Sequence, residues 1–311
     1  MSGGLGPVRH ARPIGLLAMV AVVVTFSASS TIIRKAGAPG PTIAFWRMLG
    51  SSIIWTALMR IKEGHYVTRQ EWRRAVVTGV VLGLNILLFY TAATRTSVAN
   101  LEFISALAPL LLMPDGALLF HEKVDRRAAL FGLISIAGLA LVLFDAPKRG
   151  AATWTGNGLA VLSLVTWCSY LLASRQLRKG MSVATLMASA LPIATLTTLP
   201  FVAINGDISR FDTRSMIYIV LLTLLTGVVA HGLIVFAQRK VPIGIMSMMQ
   251  VGQPALAVVW SAIFLNQTIR ALQLLGMALV VFGLATVVVQ TQRRTARLLA
   301  TENGELAGSA G

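Results

Sequence analysis

Acidic side chains are scarce in this sequence. Its 311 residues hold 11 Asp and Glu against 27 Lys and Arg, a formal charge of +16. Cysteine is nearly missing: Cys168 stands alone, so no disulfide forms within the chain and cysteine usage is silent about compartment. The four histidines, His10, His65, His121 and His231, have no metal-ligand spacing. No G-x-x-x-x-G-K-[ST] loop is present to cradle ATP phosphates, and no G-x-S-x-G turn to present a serine nucleophile. Paired aspartate-rich motifs of the prenyl-transfer kind are missing too. No cofactor, metal site or catalytic residue is therefore expected, and ATP is not the direct driving force.

The largest deficit is charge as a whole. Charged residues make up 12% of the chain and hydrophobic ones 56%, with a mean hydropathy of +0.76; soluble proteins carry about 25% charged residues. A helix of about 20 apolar residues spans the ~30 Å hydrocarbon core of a bilayer. Ten such segments fill the chain, predicting an all-α integral membrane protein with helices over residues 14–33, 42–61, 75–93, 97–120, 127–144, 157–175, 183–203, 215–236, 243–265 and 271–290. Turn residues mark the hinges, as in Gly37-Ala38-Pro39-Gly40-Pro41, Asn205-Gly206-Asp207 and Pro242. The first segment follows Arg9 and Arg12 as a signal peptide would, but its length and the lack of a small-x-small cleavage site predict a retained helix.

The basic residues lie in short hinges between apolar runs. That placement argues against nucleic acid as a partner and for anionic membrane lipid. With a cytoplasmic N-terminus, the inside segments carry 18 Lys and Arg and the outside hinges 8. Both termini are therefore expected in the cytoplasm of a cell-membrane protein, with residues 1–13 as an N-terminal segment and 291–311 as a tail.

Sliding the chain on itself by 145 residues sets Pro109 on Pro254 and Gly138-Leu139-Ala140 on Gly283-Leu284-Ala285. Each half shows a short hinge, a long helix carrying a proline, a polar end and a Gly-rich helix. Two five-helix repeats, 14–145 and 157–290, joined by an external linker at 146–156, would enter the membrane from opposite sides. Such inverted repeats are a hallmark of transporters.

A charge near the bilayer centre costs about 2.5–3.5 kcal/mol on insertion scales. Arg47 and Glu102 each lie about five residues from an outer helix end, roughly 7–8 Å deep at 1.5 Å per residue, and are placed to meet. They form either a structural ion pair, with Arg47 also able to snorkel outward, or a site where Glu102 exchanges Arg47 for a cation or a proton. Glu102, Ser105 and Pro109 share one helix face. Ser247, Gln250 and Pro254 share the matching face of the ninth helix, with Gln253 adjacent. These polar stripes suit a midplane cavity; the bland alternative is bonding between neighbouring helices. Asn85 and His231 hold equivalent mid-helix places, and His231 can relay protons or simply pack. Tyr90 and Trp167, like Trp46 and Trp260, can stack on a substrate or anchor at the interface. Asp115, near the inner end of the fourth helix, reads as structural.

One stretch runs from Tyr90-Thr91-Ala92-Ala93 and Thr96-Ser97-Val98-Ala99 through Leu107-Ala108-Pro109-Leu110 to His121-Glu122, Gly132 and Gly138. A second runs from Ala237 through Gln253-Pro254 to Gly276 and Gly283. Over about residues 14–290 the chain resembles the ten-helix EamA branch of the drug/metabolite transporter superfamily. In that family Glu122 belongs to a common cytoplasmic helix-end signature, where the second copy here has Gln267. Glu102 and Asp115 stand where the family usually has small or apolar residues. The resemblance implies a secondary carrier for small metabolites, often an exporter, with a central cavity lined by both halves.

The expected function is export of a small-molecule substrate such as an amino acid, by alternating access, driven by its own gradient or by protons. The rivals are a cationic-drug efflux carrier, for which Glu102 supplies the anion, and a non-transporting membrane enzyme or scaffold. The topology is checked by cysteine labelling: residues introduced beside Arg60 and Lys240 should react from the same side of the membrane, and reaction from opposite sides ends the inverted-repeat reading.

Overall fold

Prolines and hydroxyl side chains decide where the helices of this chain run on and where they break. The computed structural model describes residues 12–96, 98–120, 126–144, 154–204, 208, 212–265, 271–272, 274–283, 285–286, 289–290 and 293. With pieces joined across short interruptions, they form ten helical units. These are α1 (Pro13–Ala36), α2 (Gly40–Glu63), α3 (Arg69–Arg95), α4 (Val98–Ser105 and Ala108–Phe120) and α5 (Arg126–Phe144). They continue with α6 (Trp154–Leu177), α7 (Val183–Ile204), α8 (Thr213–Ala237), α9 (Ile243–Gln250 and Gly252–Leu265) and α10 (Leu274–Gly283). No strand occurs among the described residues, and seven helices are long and apolar enough to cross a membrane. His121, Glu122, Gln267 and most of the proposed terminal segments and linker lie outside the described residues.

The fourth and ninth helices, expected to be continuous, are each broken. A proline has no N–H for the carbonyl four residues back, and its ring crowds that carbonyl. Pro109 withholds a bond from Ser105, the last residue of the first piece of α4. Pro254 does the same to Gln250, the last residue of the first piece of α9. Elsewhere hydroxyls compete for helix carbonyls. In α1 the Thr25 Oγ1 donates to the Ala21 carbonyl (2.6 Å) and the Ser27 Oγ to that of Val24 (2.7 Å), and the helix is interrupted at Ala28. In α8, Thr223 and Thr226 donate likewise to Ile219 (2.9 Å) and Leu222 (2.7 Å), and residues Thr223–Ala230 widen into a π-helix. By contrast α3 runs unbroken and starts earlier than its apolar pattern implied. A capping box fastens its start: Thr68 N–H donates to the Glu71 carboxylate (2.8 Å) and Glu71 N–H to the Thr68 hydroxyl (3.3 Å). The start of α8 is capped by Asp212, whose carboxylate accepts from the Ser215 backbone N–H (2.7 Å); that bond and the Ser215 hydroxyl hold its pKa below the usual carboxylate value.

α3 packs against both α6 and α7, α2 against α7, and α1 against α8 and α9. Large apolar side chains such as Leu17, Val77, Leu162, Ile217 and Val281 face outward, as lipid requires. Because lipid tails are as apolar as leucine, helix association here relies on close backbone approach rather than on the hydrophobic effect. The α3–α7 seam shows how. Gly79 and Gly83 are one turn apart, and a Cβ on either would stand 2.7 Å from the carbonyl oxygens of Ala190 and Ala194 respectively. Gly79→Val should push α3 off α7 and cost about 1–3 kcal/mol, as overpacking does. The purified protein should then unfold at a lower temperature; an unchanged midpoint would show that the seam has room.

Candidate functional site

The interrupted helices converge. One cavity of about 90 Å³ is lined by Phe26 and Ser29 beside the break in α1, Glu102, Ser105 and Ala106 at the break in α4, Thr226 and His231 at the π-turn of α8, and Gln250, Gln253 and Pro254 at the break in α9. The straighter helices add Arg47 from α2, Asn85, Ile86, Phe89 and Tyr90 from α3, and Ser163, Leu164 and Trp167 from α6. Broken helices expose backbone polar groups, which membrane proteins tolerate where they line a cavity.

Arg47 is 1% exposed. Its Nε donates to Thr226 Oγ1 (2.9 Å), and its Nη2 lies 3.1 Å from His231 Nδ1. The guanidinium also sits over the Tyr90 ring, 5.7 Å from its centroid. The expected pairing with Glu102 does not form: among the described residues the one ion pair is His65–Glu63, at 3.6 Å. Glu102, buried beside Ser30, lines the same cavity from α4. Arg47 is drawn instead to the π-turn of α8. That turn also sets His231, whose Nδ1 is 2.6 Å from the Thr226 carbonyl five residues earlier. Phe26, Trp167 and Tyr170 surround its ring, with centroids at 5.0, 5.9 and 6.1 Å.

The remaining polar residues tie helices together across the cavity. Asn85 Nδ2 donates to the Ser163 carbonyl (2.9 Å), linking α3 to α6. Trp167 Nε1 donates to Gln250 Oε1 (3.1 Å), linking α6 to α9. Ser105 donates back to the Leu101 carbonyl (2.8 Å). Nine of the ten candidate residues thus share the cavity wall; Ser247 does not. It is fully buried and donates to the Gly244 carbonyl of its own helix (2.8 Å). Trp46 and Trp260 also lie off the wall, bonded to the Ile208 carbonyl (2.9 Å) and Ser27 Oγ (2.8 Å), and so does half-buried Asp115. Sequence reasoning missed Phe26, Ser29 and Thr226. The available signal was the Thr226-Gly227 pair one turn ahead of a buried histidine.

Gly227 is where α2 and α8 meet most closely. A Cβ there would stand 2.0 Å from Ser51 Oγ and 3.8 Å from Arg47 Nε. Gly227→Ala should destabilise the protein by about 1–3 kcal/mol through overpacking. Adding Ser51→Ala, which removes the clashing oxygen, should recover part of that loss; a double variant no more stable than the single one would refute this contact as the cause.

Comparison with known proteins follows the same lines. The family model for EamA-like transporters matches residues 13–144 and 154–289. The pseudopaline exporter of Pseudomonas aeruginosa is 24% identical over 188 residues, 60% of this chain and 65% of the exporter. An uncharacterized transporter of the same species is 30% identical over 151 residues, 46% of this chain and 50% of that protein. The matched stretches thus span less than two thirds of either relative. A solved crystal structure superposes with a TM-score of 0.75 at 18% identity, covering 89% of this chain and 98% of that one, a likeness of fold. With the family matched over most of its length and seven helices long and apolar enough to cross a bilayer, this multi-pass membrane chain belongs to the EamA-like transporter family.

Proposed function

We propose that this transporter is a secondary carrier exporting small organic metabolites such as amino acids, by alternating access between two inverted five-helix repeats, residues 14–145 and 157–290. The observation that carries this reading is the buried polar cavity, to which helices of both halves contribute. Helix pairings support the repeats, since they come in sets related by exchanging each helix for the one five places away in the other half. α3 packs on α6 as α8 packs on α1, α3 on α7 as α8 on α2, and α4 on α6 as α9 on α1. The breaks at Pro109 and Pro254 are likewise equivalent. A relative named as an exporter supports the direction.

Arg47 and Glu102 reach the cavity from near the starts of α2 and α4. At the opposite end α6 is fastened to the α8–α9 segment. Arg175 Nη1 donates to the Val241 carbonyl (2.9 Å), Arg178 Nε to that of Val235 (3.1 Å), and Gln238 Nε2 to Ser174 Oγ (2.7 Å). In the orientation favoured by the basic hinges, with both termini cytoplasmic, this is the inner face, closed. Protons are a coupling ion open to it, since Glu102 and His231 share the cavity. Glu102 also keeps the cationic-drug reading alive, because among the described residues no cation lies within ion-pair distance of it.

Both readings are tested in proteoliposomes holding only this protein, with labelled amino acids and organic cations offered with and without a pH gradient. Flux of amino acids above protein-free vesicles is the expected result, and no flux of any solute removes the carrier reading. Glu102→Gln should leave neutral-solute flux largely intact. Loss of cation flux in that variant favours the drug reading, and cation flux that survives it removes that reading.

A further inference from the structure

We propose that Arg47 and His231, backed by Tyr170, form a carboxylate seat in the cavity wall, in which the transported solute's carboxylate docks on Nη1 of the guanidinium. This rests on the carrier reading above and adds to it the chemistry of one end of the substrate.

A cation inside a membrane protein is retained where something answers its charge. Arg47 is held by neutral groups alone: Thr226, His231 and the face of Tyr90. Its Nη1 has no partner among the described residues, and the same holds for His231 Nε2 and Tyr170 Oη. All three side chains are at most 1% exposed. They come from α2, α8 and α6: Arg47 Nη2 is 3.1 Å from the His231 ring nitrogen Nδ1, and the Tyr170 ring is 6.1 Å from that of His231.

The His231 ring sharpens the assignment. Its Nδ1 lies between a donor, Arg47 Nη2, and an acceptor, the Thr226 carbonyl, and one tautomer cannot satisfy both. With the proton on Nδ1, Nε2 is a bare acceptor. With Nδ1 accepting from Arg47, Nε2–H becomes a donor, and an anion favours that state. The bound carboxylate, accepting a charge-assisted bond from Nη1, then supplies the missing negative charge.

A carboxylate suits the site better than a phosphate. Glu102, on another wall of the cavity, repels a doubly charged anion more strongly than a singly charged one. The route outward is consistent. One turn beyond Ser29 and Phe89, at Ile33 and Ala93, a vestibule begins that carries Arg34 and Arg95.

The test uses the full-length protein in nanodiscs. Its unfolding midpoint is followed by tryptophan fluorescence while acetate, glycine, methylammonium, chloride or phosphate is titrated at matched ionic strength. A ligand of the folded state raises the midpoint. Acetate and glycine should raise it; methylammonium and chloride should not. Arg47→Gln should weaken the acetate effect by roughly tenfold to a hundredfold, the range of one hydrogen bond to a charged group. Tyr170→Phe, which keeps the ring, should weaken it less.

No acetate effect on the wild type overturns the seat, whether or not any variant folds. An equal effect from chloride or phosphate overturns the carboxylate assignment in favour of a free inorganic anion, and an unchanged effect in Arg47→Gln overturns the role of Arg47. Solute flux without a carboxylate effect removes the seat and keeps the carrier. Carboxylate protection without flux supports the seat and removes the carrier reading.

Discussion

A guanidinium buried among helices must be given its hydrogen bonds by the protein itself, and the way this is done for Arg47 organises the centre of the bundle. The groups that hold it are Thr226 Oγ1, in the π-helical stretch of α8, and the ring of His231, the residue that follows that stretch. A π-turn takes one more residue per turn than an α-turn, which brings the Thr226 carbonyl beneath the side chain five residues later. Two features let α2 come close enough to use it: Gly227 has no side chain, and Ser51 lies one turn along from Arg47. The charge, the irregular turn and the small residues are one arrangement.

The other irregularities serve the same space. Breaks in α1, α4 and α9 meet around the cavity, while α2 and α3 pass it unbroken. Polar links across the cavity run between helices rather than within one: Asn85 to Ser163, Trp167 to Gln250, Arg47 to Thr226. Helices held to one another by a few hydrogen bonds, and elsewhere by close contact of small residues, can exchange one packing for another without exposing a large apolar core to water. That is the mechanical property the proposed alternating access needs.

Much of the chain was legible as text. Hydropathy set the helices because a span must be apolar for the whole thickness of the bilayer, and this constraint acts residue by residue. The cavity wall was legible to the extent that polar residues inside such spans have few other places to go. What was misread shares one cause. Ser247 was placed on the wall by its match to Glu102 at a shift of 145 residues, yet a shared register between halves does not fix what a side chain faces, and its hydroxyl bonds back to the Gly244 carbonyl. Glu102 was paired with Arg47 by depth alone, and depth says nothing of which neighbour a side chain turns toward.

Composition and hydropathy alone determined that this is an all-helical membrane chain, where most of its helices lie, and which residues are too polar to face lipid. They act locally, and each is a property of one segment and its solvent. Tertiary structure decided which helices adjoin, that Arg47 answers to α8 rather than to Glu102, and that four broken helices share one cavity. Those outcomes depend on rotation about helix axes and on contacts between residues as far apart as Arg47 and His231. Hydropathy cannot encode them, because it is the same whichever way a helix is turned.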